Sequence, residues 1–454
     1  MVAVVINIYT QNLMQNKFII ALFFISGFAF SQDKEVTKDT TVVFKKRVLE
    51  STEVDFMFSY YNQDGAHSAV SGGIGSEKLT DVASNIIVAM PMNDDDVLTI
   101  DAGLSAYTSA SSSNINPYDS NKPTPWQSSS GASESDALVS LVANYSHSSD
   151  NRNFIWTADV AFSNEYDYTS VGFGGGITKL FNDKNSEISV KANAYLDQWR
   201  PIYPGELRNS NYFIFNPSYA PSFTAWDSTA RNSYSASISF SQVLTKKTQF
   251  SIFFDLVQQE GKLSTPYQRI YFADKPDYYY GNPTFIPNYE NSANQGVYRL
   301  ADAIEKLPSR RFKLPIGLRW NYYINERFIL RTYYRYYTDN WDITAHTASV
   351  ELPIKITDKF TVFPMYRYYT QTQSKYFAPF EKHLSTEQYY TSDYDLSTFN
   401  ANQYGFGVTY TDLFTNSKIW KFGLKNIDFR FNHYNRSDGL SSNIGTLGFK
   451  FVMQ

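Results

Sequence analysis

The sequence predicts an all-β protein, a single transmembrane antiparallel β-barrel of about 16 strands. Three features of the 454-residue chain support this fold class. Segments of roughly ten residues alternate apolar with polar side chains, which is the period of a strand with one apolar face. Short polar turns and longer connections follow one another between these segments. Tyr and Phe are abundant, with 36 and 35 residues, as in the aromatic girdles of membrane barrels.

The start of the chain has the pattern of an export signal. Residues 14–31 contain Lys17, then an apolar run, then the small residues Ala29 and Ser31 at the spacing of a cleavage site. The run is shorter than the ~20 residues of a membrane-spanning helix. The predicted organisation is a signal peptide over 1–31, with Met14 as an alternative start, a periplasmic tail over 32–47 and an outer-membrane β-barrel over 48–454.

Alternation defines nine strands in the first part of the barrel. The first is Val54–Tyr61, in which Val54, Phe56 and Phe58 share a face opposite Asp55 and Ser59. The segment 82–90 alternates less regularly, and 97–108 alternates clearly. The other predicted strands of this part are 137–145, 156–162, 171–181, 186–196, 234–244 and 250–258.

Seven further strands complete the predicted barrel, at 312–323, 328–337, 344–356, 360–370, 403–410, 427–434 and 443–454. The last reads NIGTLGFKFVMQ, with Leu447, Phe449 and Phe451 on one face and Gly448 and Lys450 on the other. This pattern resembles the terminal strand of outer-membrane barrels. We expect it to pair with the first strand, because closure removes the exposed edges of a sheet.

The connections predict the orientation in the membrane. Tight polar turns occur at 92–96, 147–152, 182–185, 245–247, 325–327 and 357–359. Several of the intervening connections are long, including 109–135, 198–232 and 259–310. Short periplasmic turns with long extracellular loops are typical of outer-membrane barrels. We therefore predict an integral protein of the cell outer membrane with both termini in the periplasm.

The longest loop contains a predicted small helix. Val297, Leu300, Ile304 and Leu307 recur at helical spacing, and Pro308 would end the helix. The predicted helix spans 297–307. Two placements are open: a cap on the extracellular rim, or a segment folded into the barrel mouth. The cap is favoured, because the stripe is apolar whereas the lumen is charged.

The polar faces of the strands would line the lumen, and they carry many charges. Acids dominate the early strands and bases the later ones. Two interpretations are open: ion-pair ladders that stiffen the wall, or a water-filled lumen with a transverse field that selects solutes. The predicted lumen-facing charges are Asp55, Asp101, Asp159, Lys191, Asp197, Asp255, Arg319, Arg331, Arg335, Arg367, Asp428, Arg430 and Lys450, together with Glu187 and Lys313.

Patterns of catalytic and cofactor sites are weak. The Gly-rich segment 71–78 lacks the ending of a phosphate-binding loop and is interpreted as a tight turn. The five His residues have no metal-ligand spacing, no GxSxG motif occurs, and there are no Cys residues. We expect no catalytic, cofactor or metal site and no enzyme activity, although separate strands could still assemble a Ser–His–Asp site. A net charge of −4 does not suggest nucleic-acid binding.

Several stretches carry a resemblance to a known family: SYYNQDGAHSAVSGGIGSEKLTDV at 59–82, DVLTIDAGLSAYTSASSSN at 96–114, YSHSSDNRN at 145–153, EYDYTSVGFG at 165–174 and WRPIYPGEL at 199–207. They resemble an outer-membrane β-barrel family of Bacteroidota that is described only as a domain of unknown function. The resemblance implies an outer-membrane barrel. Members of that family lie near flavin-transferase-like and thioredoxin-like genes, so the resemblance also implies a link to extracytoplasmic redox systems.

These features together predict a channel-like (porin-like) or solute-binding envelope component with a charge-segregated lumen. The alternative is a closed barrel that acts as a scaffold for an envelope partner complex. A barrel-borne hydrolase is a less favoured alternative. The expected partners are outer-membrane lipid, the barrel-assembly machinery and an envelope protein of unknown identity, without nucleic acid and without cofactors.

Overall fold

The computed structural model describes residues 46–108, 135–200, 228–266, 268–274 and 303–454. The chain divides into two compact units, Met1–Lys46 and Arg47–Gln454. The predicted signal peptide and most of the predicted periplasmic tail lie outside the described residues. Within the described ranges, no helix combines the length and the apolar character of a membrane span.

Sixteen long strands form one antiparallel sheet that closes on itself, because the first strand, Glu53–Asp64, pairs with the last, Ser441–Met453. This confirms the predicted barrel and its strand number. The long strands are β1 Glu53–Asp64, β2 Leu79–Pro91, β3 Asp96–Thr108, β4 Ser135–Ser148, β5 Phe154–Asn164, β6 Tyr168–Phe181, β7 Ser186–Trp199, β8 Thr229–Thr245, β9 Thr248–Gly261, β12 Arg310–Tyr323, β13 Ile329–Asp339, β14 Thr344–Glu351, β16 Phe360–Gln371, β17 Phe399–Thr411, β19 Phe422–Arg436 and β20 Ser441–Met453. Short strands complete the set: β10 Arg269–Ile270, β11 Ala303–Ile304, β15 Ile354–Lys355 and β18 Lys418–Ile419.

The two ends of the barrel differ in their connections. At one end β2–β3, β4–β5, β6–β7 and β8–β9 are joined by turns of two to five residues, and β1 begins and β20 ends there. At the other end lie the longest connections, 109–134, 200–228 and 262–309. The alternation expected from the sequence is therefore present, with both ends of the strand series on the short-turn side.

The outward faces of the strands form an apolar belt. Exposed side chains on this face include Ile238, which is 54% exposed, and Phe173, which is 52% exposed. Exposed apolar patches of this extent are rare on proteins that are surrounded by water. The belt is defined by the outward residues Val139, Val160, Phe173, Ile238, Ile252 and Phe406.

Loops at the long-loop end pack into an ordered cap, which we define as residues 65–78, 262–266, 268–274, 303–309 and 372–398. Its core contains Tyr271, 1% exposed, and Thr391, which is fully buried. Short backbone pairings connect the loops: β10 with β11, and Lys306 with Tyr390. The Gly-rich segment 71–78 belongs to this cap, where Gly72 and Gly73 adopt positive φ as expected of a tight turn.

The predicted helix over 297–307 is wrong where it can be compared. Residues 297–302 lie outside the described ranges, and 303–307 are extended. Non-local backbone bonds replace helical ones, because the Glu305 N–H donates to the Gln268 carbonyl at 2.9 Å and the Lys306 N–H to the Tyr390 carbonyl at 3.1 Å. A short helix is marginal alone, and tertiary pairing overrides its apolar spacing. Leu307 instead packs with Leu263 and Trp341.

Candidate functional site

The register places every predicted lumen charge on the face opposite the apolar belt. Contacts show that this face is concave: Arg430 of β19 reaches Glu351 of β14 at 2.9 Å, although β16 and β17 lie between these strands in the sheet. The residues on this inner face include Asp55, Asp101, Asp159, Glu187, Lys191, Asp197, Asp255, Lys313, Arg319, Arg331, Arg335, Arg367, Asp428, Arg430 and Lys450.

Inner side chains do not fill the lumen. Met57 points inward and is 49% exposed, and Lys191, Arg319 and Arg367 are also exposed. On one wall small residues alternate with larger ones: the side chains of Tyr195, Asn193 and Lys191 on β7 lie beside the glycines of β6, and β8 contributes Ser233, Ser235, Ser237, Ser239 and Ser241. Solvent therefore reaches charged groups within the barrel.

Some of the inner charges form ion pairs between strands. Lys450 contacts Glu53 at 2.7 Å and Asp55 at 3.2 Å. Arg331 and Arg430 both contact Glu351 at 2.9 Å. These pairs correspond to the ladder interpretation, because each links neighbouring or opposing strands near the short-turn half of the lumen.

Other inner charges are available to the lumen. Among the described residues, Asp101, Asp159 and Lys191 have no ion-pair partner within 4.0 Å. Arg319 lies between two rings, with its guanidinium 5.7 Å from the Phe253 centroid and 5.8 Å from that of Tyr333. Some members of the set are thus ion-paired and others are not, and acids dominate β3–β9 while bases dominate β12–β20.

A cavity of about 360 Å³ opens between the inner wall and the cap. Its wall is formed by β13, β14 and β16, and Asp395 and Leu396 of the cap lie above it. Arg335 and Arg367 border it and were predicted to face the lumen. Sequence reasoning missed Arg311, Thr347 and Gln371, which also line it. Arg311 alternates with Lys313 along β12 and was detectable, whereas Thr347 carries no local signal.

The histidines occupy structural positions. His383 is 1% exposed and bonds the Thr391 carbonyl at 2.9 Å. The remaining four have other partners, because His67 bonds the Gly73 carbonyl, His147 the Asp96 carboxylate, His346 the Tyr334 hydroxyl and His433 the Asn443 amide oxygen. In the described part of the chain, no cluster of three or more His, Asp or Glu side chains could hold a metal ion.

One protein-family model matches residues 18–448, nearly the whole chain. Its description is "Protein of unknown function (DUF3570)". The chain belongs to this family. The match agrees with the resemblance to a family whose function is unknown. No curated protein matches this DUF3570 member.

Solved structures similar to the DUF3570 chain are barrels with distant sequences. A "TodX monoaromatic hydrocarbon channel deltaS2 mutant" is 9% identical with a TM-score of 0.39, covering 89% of this chain and 90% of its own. A "Bacterial polysaccharide outer membrane secretin" is 10% identical with a TM-score of 0.42, covering 88% and 98%. A "BenF-like porin from Pseudomonas fluorescens Pf-5" is 8% identical with a TM-score of 0.36, covering 89% and 100%.

Proposed function

We propose that the protein is an integral outer-membrane barrel in which the first strand begins and the last strand ends on the periplasmic side. The apolar belt supports this proposal, because it would meet hydrocarbon while every strand satisfies its backbone within the closed sheet. The short turns lie on the same side of the barrel as the start of β1 and the end of β20, which agrees with the orientation of such barrels, whose short turns are periplasmic. Its partners would be outer-membrane lipid and, during assembly, the barrel-assembly machinery.

Within that membrane, the lumen would pass or bind small hydrophilic solutes without enzymatic conversion. The observation that carries this proposal is the set of charged inner side chains that solvent reaches. Acids on one wall and bases on the other create a transverse field, which orders and selects charged solutes in a narrow pore.

The test is ion selectivity of the purified protein in planar bilayers. Changing Arg331 and Arg335 to Glu together reverses two inner charges of β13, and we expect the reversal potential to shift towards cation preference. The carboxylate introduced at position 331 would lie beside Glu351, and the pair that Glu351 keeps with Arg430 offsets this repulsion, so the barrel should still fold. The control is Arg327→Glu, an exposed turn residue outside the lumen. Silence of the wild-type barrel across a range of salts, or unchanged selectivity together with unchanged stability, would refute passage.

A scaffold function is the second candidate, and one exposed surface favours it. The turn between β17 and β19 carries Phe414, Ile419 and Trp420, which are 76%, 64% and 95% exposed at the short-turn end. Exposed aromatic groups of this kind are enriched where partners bind. Cross-linking in cells should then capture an envelope protein at Trp420, and the double change of Phe414 and Trp420 to Ser should abolish the product. Lipid-only adducts would contradict the scaffold.

A further inference from the structure

The cavity beneath the cap arises from a difference in side-chain size between adjacent strands. The inner face of β14 carries the small residues Ala345 and Thr347. Register pairs Thr347 with Arg335 on β13 and with Tyr369 on β16. The small residues of β14 therefore form the base of the cavity, and the long side chains of the two neighbouring strands form its sides. The resulting volume of about 360 Å³ is within the ~300–1,000 Å³ range of small-molecule sites.

Hydrogen bonds hold the residues that cover the cavity in place, and the carboxylate among them, that of Asp395, is already paired. Gln371 extends from β16 and donates from its amide nitrogen to the carbonyls of Asp395 at 3.0 Å and Ser397 at 2.6 Å. The Asp395 carboxylate is paired with Arg436 at 2.5 Å. Its negative charge is therefore already compensated by a base outside the cavity, and Leu396 adds an apolar surface beside it.

Two of the three lining arginines retain unused donors. Arg311 is occupied, because Asp339 accepts from its Nε at 2.9 Å and from Nη2 at 2.6 Å. Arg335 and Arg367, in contrast, have no ion pair within 4.0 Å among the described residues. The Nε of Arg335 is buried and without a hydrogen-bond partner.

A buried donor without an acceptor is costly and uncommon in folded proteins. Guanidinium groups are suited to planar oxyanions, which they bind with paired hydrogen bonds. The cavity also has apolar lining, including Ile343 at 3% exposure and Ala345 at 2%. A bare inorganic ion would not contact that apolar lining, whereas a carboxylate with a small apolar body would contact both the arginines and the lining.

We propose that this cavity is a binding site for small organic anions, in which Arg335 and Arg367 bind a carboxylate and Ile343, Ala345 and Leu396 contact its apolar body. The inference deepens the proposed passage of solutes, and rests on it only for the route by which the anion arrives. The inferred site gives the basic wall a class of solute. It lies at the long-loop end of the lumen, whereas the ion pairs described above lie in the short-turn half.

Binding is tested with the full-length, detergent-purified barrel by isothermal titration calorimetry, with benzoate as the probe. We expect saturable binding of benzoate, and binding at least about tenfold weaker for the uncharged benzyl alcohol and for inorganic phosphate. The double variant Arg335→Gln/Arg367→Gln should lose at least about tenfold in benzoate affinity. The control is Arg327→Gln, an exposed arginine of the turn before β13 and outside the lumen, which should bind like the wild type.

Any other result of these titrations would overturn the proposed anion-binding site. Equal binding of benzoate and benzyl alcohol would remove the role of the charge, and equal binding of phosphate would remove the role of the apolar lining. If the double variant does not fold, Arg367→Lys replaces the planar fork with a point charge, and unchanged affinity for benzoate in this variant would also overturn the site.

Bilayer recordings separate this inference from the proposed passage. Benzoate added to a conducting wild-type barrel should reduce its chloride current, and the double variant should not respond. Conductance without benzoate binding would overturn the anion site and leave passage standing. Benzoate binding in a barrel that conducts nothing would overturn passage and leave the site standing.

Discussion

At the scale of single residues, Gly261 at the end of β9 shows how closely loop and wall are packed. Its φ is +108°, and its N–H donates to the Ser309 carbonyl at 2.9 Å. A Cβ here would collide with the backbone carbonyl of Ala230. We expect Gly261→Ala to lower the free energy of unfolding by about 1–3 kcal/mol, because both backbone strain and the collision must be relieved.

Urea unfolding in detergent or liposomes measures this loss. The control is Gly445→Ala on β20, where an added Cβ meets no atom within 4 Å. That variant should remain close to wild type. Equal losses for the two variants would show that any side chain is tolerated equally in the wall, contrary to the geometry at Gly261.

Glu305 gives the cap a predicted dependence on pH. The carboxyl accepts a hydrogen bond from the Thr265 N–H at 2.6 Å and from the Thr391 hydroxyl at 2.6 Å. Burial, with Asp393 as the next cause, raises the pKa of Glu305 from 4.5 to about 8. The folded cap therefore holds a proton that the unfolded loop releases. Its stability should be full below pH 4.5, fall as the pH rises and reach its lowest level above about pH 8.

Hydrogen exchange of residues 262–274 at pH 5 and pH 8 tests this expectation. The wild-type segment should exchange faster at pH 8 after correction for the intrinsic rate. Glu305→Gln is neutral at both values and should remove most of the difference. Glu326→Gln, an exposed turn residue, should keep it. A pH dependence that persists in Glu305→Gln would assign the effect to another group.

At the scale of elements, the strands were predictable and the cap was not. The alternation in β1 or β20 is local, because the lipid-facing and lumen-facing positions follow the period of the chain itself. The segment 303–307 has an apolar spacing that suits a helix, yet its backbone pairs with Gln268 and Tyr390, which are far away in sequence. Such pairings depend on several loops meeting, and periodicity along one loop does not contain them.

The anion cavity was predictable only in part, for the same reason. The positions of Arg335 and Arg367 on the inner face followed from alternation. Their positions on either side of the small residues Thr347 and Ser349 follow from the register of three strands, which a single sequence does not specify. The cover provided by Leu396 depends on the path of the loop between β16 and β17. The residue types were therefore visible, but their convergence was not.

The cap makes a separate prediction at this scale. Deleting 266–306 removes β10 and β11, and with them the pairing partners of Tyr390 and His383. We expect trypsin to cleave the loop 372–398 faster, at Lys375 and Lys382, while heat-modifiable migration on gels shows an intact barrel. The relative change in conductance should be smaller than the relative change in cleavage rate, because Asp395 and Leu396 still cover the cavity. A large rise in conductance without faster cleavage would contradict the role as a cap.

At the scale of the whole molecule, one alternation serves two environments. Outward positions carry the apolar belt, and inward positions carry the charges, the small residues and the cavity. Because the sheet closes, neither set can be exchanged without moving every strand by one residue. The fold therefore couples residence in lipid to a charged lumen, and the same substitution should have unequal costs at adjacent positions of a strand.

Adjacent positions at the middle of β8 test that coupling. Ile238 points outward and is 54% exposed, whereas Ser237 points inward and is paired in register with Lys191 and Asp255. Ile238→Arg should reduce the free energy of folding into liposomes by about 2–4 kcal/mol, the cost of a charge at mid-depth on a lipid-facing position. Ser237→Arg adds the same side chain to the solvated lumen and should cost far less. Urea titration of both variants in the same lipid measures the difference. Equal costs would mean that the two faces meet the same medium, and a barrel that spans a membrane cannot give that result.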